Sequence, residues 1–365
     1  MKIGILGTRG IPNYYSGFEQ LAEYLSRGLV ERGHEVYVYN SHNHRYQESM
    51  WNGVHLIHRY DPEYRLGTFG QFIYDLNCIR DSRKRQFDVL LQLGYTSSTI
   101  WWFLLPRSSV IATNMDGLEW KRSKYNRAVQ QFLKVAEWLG VVGSDVLVAD
   151  SIGIRDYLAE RYGKSSAYIA YGADLFDAPD PSVLAEFDVT PHNYDMLVAR
   201  MEPENNIRTI LEGKIRSTSD RPFLVVGNYE NTPHGRAWKQ QFRDPRIRFT
   251  GGIFDIHKLN NLRHFSNLYF HGHSVGGTNP SLLEAMASSA LVCAHQNPFN
   301  AAILGEDAHY FSDADSVCHA LDHVVKQGKE AKIARNRDKI RDQFSWEAII
   351  NGYEAMMKDA VQQRK

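Results

Sequence analysis

Gly276-Gly277-Thr278-Asn279-Pro280-Ser281, with Glu284 a helical turn further on, is the stretch of this chain best equipped to hold an anion. It follows an apolar run that reads as a buried strand and opens a helical pattern. Paired glycines let backbone come close to a ligand, Asn279 can cap the exposed amides, and Pro280 is tolerated at the first helical position, where its missing N–H goes unused. Free N–H groups and the positive dipole end at such a start favour a diphosphate. Glu284 then lies where it can accept hydrogen bonds from a sugar hydroxyl. Taken alone, the segment also reads as an ordinary strand-to-helix turn.

Arg200 points to the same chemistry. It follows a predicted strand at 195–199, and ligands of open α/β sheets collect at the carboxyl edge of the strands. A guanidinium there grips phosphate oxygens bidentately, which a lysine does not. The bland alternative is a surface ion pair with Glu202 or Glu204.

The elements that must position these residues alternate along the whole chain. Strands are expected at 2–7, 35–40, 53–58, 87–92, 109–113, 144–149, 166–170, 195–199, 222–227, 246–249, 267–271, 291–294 and 308–311, mostly short apolar runs between turn signals. A helix is expected at 18–32, with Leu21, Leu25 and Leu29 on its core stripe and Gly33 as its stop. Strand–helix alternation implies doubly wound parallel sheets. Asp174–His192, interrupted by prolines and acids, reads as the linker.

Composition bounds the function. The 365 residues suffice for two domains, and 43% hydrophobic residues supply a core for each. Lys plus Arg total 42 and Asp plus Glu total 42, so no net charge argues for nucleic acid. Cys78, Cys293 and Cys318 are too scattered for a disulfide framework or zinc site and suit a reducing cytoplasm. Met1-Lys2-Ile3-Gly4 reads as the start of a strand and not a signal peptide, and no apolar run is long enough to span a membrane, so a cytoplasmic location is expected.

Gly4-x-x-Gly7-x-x-Gly10 after the first strand also suits a dinucleotide-binding NAD(P)-dependent oxidoreductase or epimerase acting on sugar nucleotides. Two absences count against it. Strand 35–40 ends in Tyr39-Asn40 without the acid that would hold an adenine ribose, and no Tyr-x-x-x-Lys pair occurs.

With Arg200, the glycine turn and the Glu284 helix together, the chain resembles the GT-B glycosyltransferases, specifically the retaining family 4. Pro12-Asn13-Tyr14-Tyr15-Ser16-Gly17-Phe18-Glu19 followed by Gly33-His34-Glu35-Val36 resembles that family's first loop, helix and second strand. Ala149-Asp150-Ser151 and Tyr171-Gly172-Ala173-Asp174 resemble its interdomain stretch, and Phe344-Ser345-Trp346-Glu347 its last helix. The resemblance implies an α/β GT-B fold of two Rossmann-like doubly wound domains with an interdomain cleft. Residues 1–174 would form the acceptor side, 175–345 the nucleotide-sugar side, and 346–365 a helix returning to the first domain. It also implies a metal-independent enzyme without a cofactor, whose Ser16 and Gly17 approach the donor diphosphate opposite Arg200. Asp116, after strand 109–113, stands where the family often carries a histidine facing the transferred sugar or acceptor; Glu119 is a second candidate. A carboxylate there can accept the acceptor's proton but not donate as imidazolium does. A helix cap is the alternative role for Asp116.

Departures from the family pattern narrow the donor. Asn205 replaces the usual lysine, Gly276 the usual first glutamate, and the 297–302 loop lacks a common acid. In these features the chain resembles the subgroup of bacterial rhamnosyltransferases that use dTDP-rhamnose, with another UDP or GDP sugar as the alternative. A binding-only protein that has lost catalysis is a further reading. For the acceptor, Lys121, Arg122, Lys124, Arg127 and Lys134 are expected on one helix with Phe132 and Trp138, which suits an anionic membrane surface. By resemblance the acceptor is a glycan, often lipid-linked. The same helix also reads as solvated, with Val129, Phe132 and Ala136 packed inward. Trp101-Trp102-Phe103-Leu104-Leu105 reads as core. Asp313 and Asp315 read as a helix start, and His271 and His273 as a pair without a third zinc ligand.

Overall fold

Short apolar runs bounded by glycine, asparagine or aspartate become the strands of two parallel sheets. The computed structural model describes residues 1–14, 17–115, 117–122 and 125–364. The chain divides into two compact units, Met1–Tyr171 with Trp346–Lys365, and Gly172–Ser345.

The first unit carries an 8-stranded sheet in the order β3-β4-β2-β1-β5-β6-β7-β8. Its strands are β1 (Lys2–Leu6), β2 (Glu35–Ser41), β3 (Met50–Trp51), β4 (Val54–Arg59), β5 (Val89–Leu93), β6 (Val110–Asn114), β7 (Val146–Ala149) and β8 (Ala167–Tyr168). All pairings are parallel except β3 on β4. Ile3 registers with Val36 on one side and Val89 on the other, so the order reverses between β1 and β5. Leu21, Leu25 and Leu29 of the helix Gly17–Glu31 are buried, and Gly33 ends it at φ 81°. The helix Trp346–Arg364 packs across the same helix, with Tyr24 and Trp346 stacked at 4.2 Å and Ile350 filling the space above Gly28.

The second unit carries a 6-stranded sheet in the order β11-β10-β9-β12-β13-β14. Its strands are β9 (Asp195–Val198), β10 (Phe223–Val226), β11 (Ile247–Gly251), β12 (Leu268–His271), β13 (Val292–His295) and β14 (His309–Phe311). Every pairing is parallel. The order reverses between β9 and β12, which opens a crevice at their carboxyl ends. Leu197, Val225, Phe270 and Cys293 form the middle of its core.

Each strand expected from sequence has its counterpart. Among the strands of the described residues, β3 was not expected from the sequence. Within the stretch expected as the linker, Asp180 caps a 3₁₀ segment at Pro181–Phe187. Two expectations need correction. Lys121 and Arg122 do not share a helix with Arg127 and Lys134, since a 3₁₀ turn at Glu119–Lys121 precedes the helix Arg127–Gly143, which Asn126 caps. Phe132, expected inward in one reading, is exposed, as are Trp102 and Phe103 of the supposed core run. An apolar side chain gains by burial, but sequence alone does not say which way it faces.

Candidate functional site

In the second unit the loops after β9 and β12 are knitted together. The Asn206 side chain donates to the Gly272 carbonyl (2.7 Å), and Ser274 donates to the Glu204 carbonyl through both its amide (3.0 Å) and its hydroxyl (2.8 Å). Contact is so close that a Cβ at Gly272 would sit 2.0 Å from the Asn205 carbonyl oxygen, so only glycine fits. Ser281 Oγ bonds Tyr269 OH (2.6 Å) and donates to the Val198 carbonyl (3.4 Å), tying the first turn of the helix Pro280–Ala287 to the end of β9. These ties bring the β9 loop bearing Arg200, the Gly276–Ser281 turn and Glu284 to one sheet edge, at the switch point.

Each residue there has a distinct place. Arg200 is exposed and makes no ion pair with any described residue, so the Glu202 or Glu204 pairing does not form. Asn205 is buried, and its amide donates to the Arg200 carbonyl (2.7 Å), shaping the turn that presents the guanidinium. Asn279 caps the helix through the Ser281 amide (3.0 Å), and its carbonyl takes the Leu282 amide (3.0 Å). With Pro280 lacking an N–H, the helix's own first amides are used up. Gly276 and Gly277, whose N–H groups have no acceptor among the described residues, keep the free donors. Gly276 adopts φ 121°, which favours glycine. Thr278 is buried beneath the turn.

Glu284 is held by a residue that the sequence reading missed. Arg263, 1% exposed, donates to its carboxylate at 2.6 Å and to Asn260 Oδ1 at 2.9 Å. One carboxylate oxygen is thus fixed by a buried cation. His271 is buried, stacks on His273 at 4.3 Å, and has no hydrogen-bond partner for either ring nitrogen among the described residues. Burial, then the neighbouring His273 and Arg263, push its pKa well below the usual imidazole value, so it is neutral. Asn297 and Asn300, also missed, both donate to the His273 carbonyl at 3.1 Å and brace the glycine turn from the β13 side. Their signal was the Asn-Pro helix start at 297–298; Arg263 had none.

In the first unit the β1 loop is strapped down by side chains. Glu19, buried in the first turn of the helix Gly17–Glu31, accepts the Arg9 amide (2.8 Å), and Glu23 accepts the Asn13 amide. Asn40 is buried and bonds both backbone groups of Ile11 (3.1 and 2.8 Å). The place where an oxidoreductase would offer a ribose-binding acid is therefore spent on the loop itself, which counts against dinucleotide binding. Gly17 begins the helix, while Ser16, Asp116 and Lys124 lie outside the described residues. Glu119 is engaged: its carboxylate pairs with Arg122 at 2.6 Å, and its amide donates to Tyr95 OH (3.2 Å).

Asp75, buried behind the β5 loop, accepts from Ser97 Oγ at 2.5 Å. Burial is the main cause that pushes its pKa from 3.8 up to about 7, against the Ser97 hydrogen bond. The folded state holds this proton more tightly than the unfolded one, so the contribution is fully present below pH 3.8 and is lost as pH rises to about 7. Asp75→Asn removes the charging cost. Its thermal midpoint is expected several degrees above wild type at pH 8, with the gap closing near pH 4. Melting curves across pH test this.

The two parallel sheets define a GT-B fold. Sucrose-phosphate synthase from Thermosynechococcus elongatus superposes with a TM-score of 0.76 at 15% identity over 98% of each chain. HepE from Anabaena, solved with UDP and glucose, gives 0.74 at 14% identity over 98% of this chain and 100% of that one. The α,α-trehalose-6-phosphate synthase of Burkholderia multivorans gives 0.74 at 11% identity over 100% and 97%. At such identities the likeness establishes the fold. Residues 1–174 match the model of a domain of unknown function (DUF1972). No curated protein matches the chain in sequence.

Proposed function

We propose that this chain is a retaining, metal-independent glycosyltransferase that moves a sugar from a nucleotide diphosphate donor to a glycan acceptor. The observation that carries this reading is the unpaired Arg200 at the end of β9, tied to the same sheet edge as the open Gly276 and Gly277 amides and the Arg263-held Glu284. Arg200 and the glycine amides stabilise the leaving diphosphate, and Glu284 accepts from sugar hydroxyls. By the family resemblance alone, Ser16 and Gly17 are the candidates for further phosphate contacts and Asp116 for the reacting end. The donor is dTDP-rhamnose: Gly276 stands where the family has an acid, which removes an acceptor for a sugar hydroxyl and suits a deoxysugar, while Asn205 stands where it has a cation, which loosens the grip on the diphosphate. The acceptor is a lipid-linked glycan in cell-surface polysaccharide assembly. The neighbours' complexes with UDP and glucose support the donor class.

Calorimetric titration with dTDP-rhamnose, UDP-glucose, GDP-mannose and NADPH tests the reading. Heat from a sugar nucleotide, strongest for dTDP-rhamnose, is expected. Heat from NADPH alone, or from none of the four, overturns it.

A further inference from the structure

The order of the first sheet reverses between β1 and β5, and ligands of open α/β sheets gather at the carboxyl ends of the strands beside such a reversal. The loop after β5 is held there from several sides. Tyr95, buried, donates its hydroxyl to the Gly117 carbonyl (3.2 Å) and takes the Glu119 amide (3.2 Å), which ties it to the loop after β6. Thr99 donates to the Ala136 carbonyl (2.8 Å) on the helix Arg127–Gly143. A Cβ at Gly94 would meet the Phe18 ring at 3.2 Å, so the loop also lies against the start of the helix Gly17–Glu31. Ser97, partly buried, sits between these anchors.

Behind Ser97 sits an acid with little to hold its charge. Asp75, on the helix Phe69–Ser82, is 4% exposed, and among the described residues the Ser97 hydroxyl is the one hydrogen-bond donor to its side chain (2.5 Å). Other buried acids are better served. Asp195 receives Arg221, Asn267 and the Leu268 amide, and Glu137 receives Trp120, Tyr157 and Tyr162. Burial above all raises the Asp75 pKa to about 7, against the Ser97 hydrogen bond; Asp61 adds to the rise and Arg9 opposes it. Arg9 is itself paired with Glu63 (2.6 Å), and burial keeps Tyr74 and Cys78, on the same helix, protonated. An asparagine would fill the same space with no charge to bury, so this acid weakens the fold as pH rises to about 7. An acid retained against stability, beside a crevice, is suited to proton chemistry.

We propose that Ser97 receives the attacking hydroxyl of the acceptor and that Asp75, acting through Ser97, takes up its proton. The inference deepens the glycosyltransferase reading and rests on it for the reaction. The bond between the anomeric carbon of the sugar and the diphosphate breaks, its electron pair leaves with the diphosphate, and the acceptor oxygen bonds to that carbon. The acceptor's proton passes to Ser97 Oγ while the Ser97 proton passes to Asp75 Oδ2, and solvent later removes it from the carboxyl. A carboxyl that titrates near neutrality can both take the proton and give it up. Ser97 is then the group in contact with substrate, and Asp75 is a positioning residue.

Initial rates of rhamnose release from dTDP-rhamnose test the relay, with water and with a short-chain glucosyl diphosphate lipid as probe acceptors, from about pH 5.5 to about pH 8.5. Wild-type kcat is expected to rise with pH through about 7 and then level off, since only ionised Asp75 takes a proton. Asp75→Asn should lose that limb and at least about 10²-fold in kcat, with the donor KM unchanged, while melting above wild type at pH 8. Ser97→Ala should also lower kcat and move the remaining limb to higher pH, because its hydrogen bond holds the Asp75 pKa down. Ser97→Thr keeps a hydroxyl and should recover most of the rate. Wild-type kcat in Asp75→Asn, or a limb that stays in place there, overturns the proposal. So does a loss of kcat that tracks a fall in melting temperature in both variants, which would make the pair a strut. Donor titration separates the two readings. No heat from any sugar nucleotide in wild type defeats the glycosyltransferase reading and the relay with it, whereas donor heat with wild-type kinetics in Asp75→Asn defeats the relay alone. Donor heat in wild type without turnover of either acceptor at any pH also overturns it.

Discussion

Arg200→Ala is expected to lower kcat/KM for the sugar-nucleotide donor by about 10²- to 10³-fold, the loss typical of removing one donor that stabilises developing negative charge. Folding should be indifferent to the change. The side chain is exposed and has no ion-pair partner among the described residues, so its removal strands no charge, and the melting temperature should stay within about a degree of wild type. Arg200→Lys keeps the charge but loses the planar fork, so it should recover part of the rate and remain about tenfold low. Donor titration and initial rates together locate the effect. A change confined to KM means that Arg200 binds ground and transition states alike, while an equal fall in kcat and kcat/KM means that it acts on the departing diphosphate. Wild-type kinetics in Arg200→Ala would remove Arg200 from the site.

Much of this architecture could be read from the chain because buried parallel strands leave a local signature. Runs such as Val89–Leu93 and Phe223–Val226 are wholly buried, so their apolar composition has one explanation. The glycine turn was equally legible, since Asn279 and Pro280 act within a residue or two of themselves. What escaped notice depends on direction or distance. The helix Arg127–Gly143 is apolar on both sides, and no periodicity tells a core stripe from an outward one. Trp102 and Phe103 failed for the same reason. Asn205 stands in sequence where a phosphate-binding lysine is expected, yet in space its amide turns back to the Arg200 carbonyl. Asn40 looked like a missing acid and proved to be the clamp of the β1 loop. Arg263 was invisible because its partner is 21 residues away, on a different helix.

That distant partnership gives the second large effect, this time on stability. Arg263 is fully buried and Glu284 mostly so, at 1% and 19% side-chain exposure. Arg263→Met is expected to leave the Glu284 carboxylate without its cation and Asn260 without a donor. Stranding one member of a buried pair costs about 3 kcal/mol or more, which for a unit of this size lowers the melting temperature by roughly 6–12 °C. Glu284→Gln separates the structural from the functional role, because the neutral amide still accepts from Arg263 without its charge. Combining both substitutions should restore part of the lost stability, as the group that Arg263 held is then neutral. Activity should not follow. If Glu284 accepts from a sugar hydroxyl, Glu284→Gln and the double variant both stay at least about tenfold slow however well they fold, since the charged acceptor is gone. A double variant that regains both stability and turnover would reduce Glu284 to a counterion for Arg263, leaving the donor's grip to Arg200 and the glycine amides.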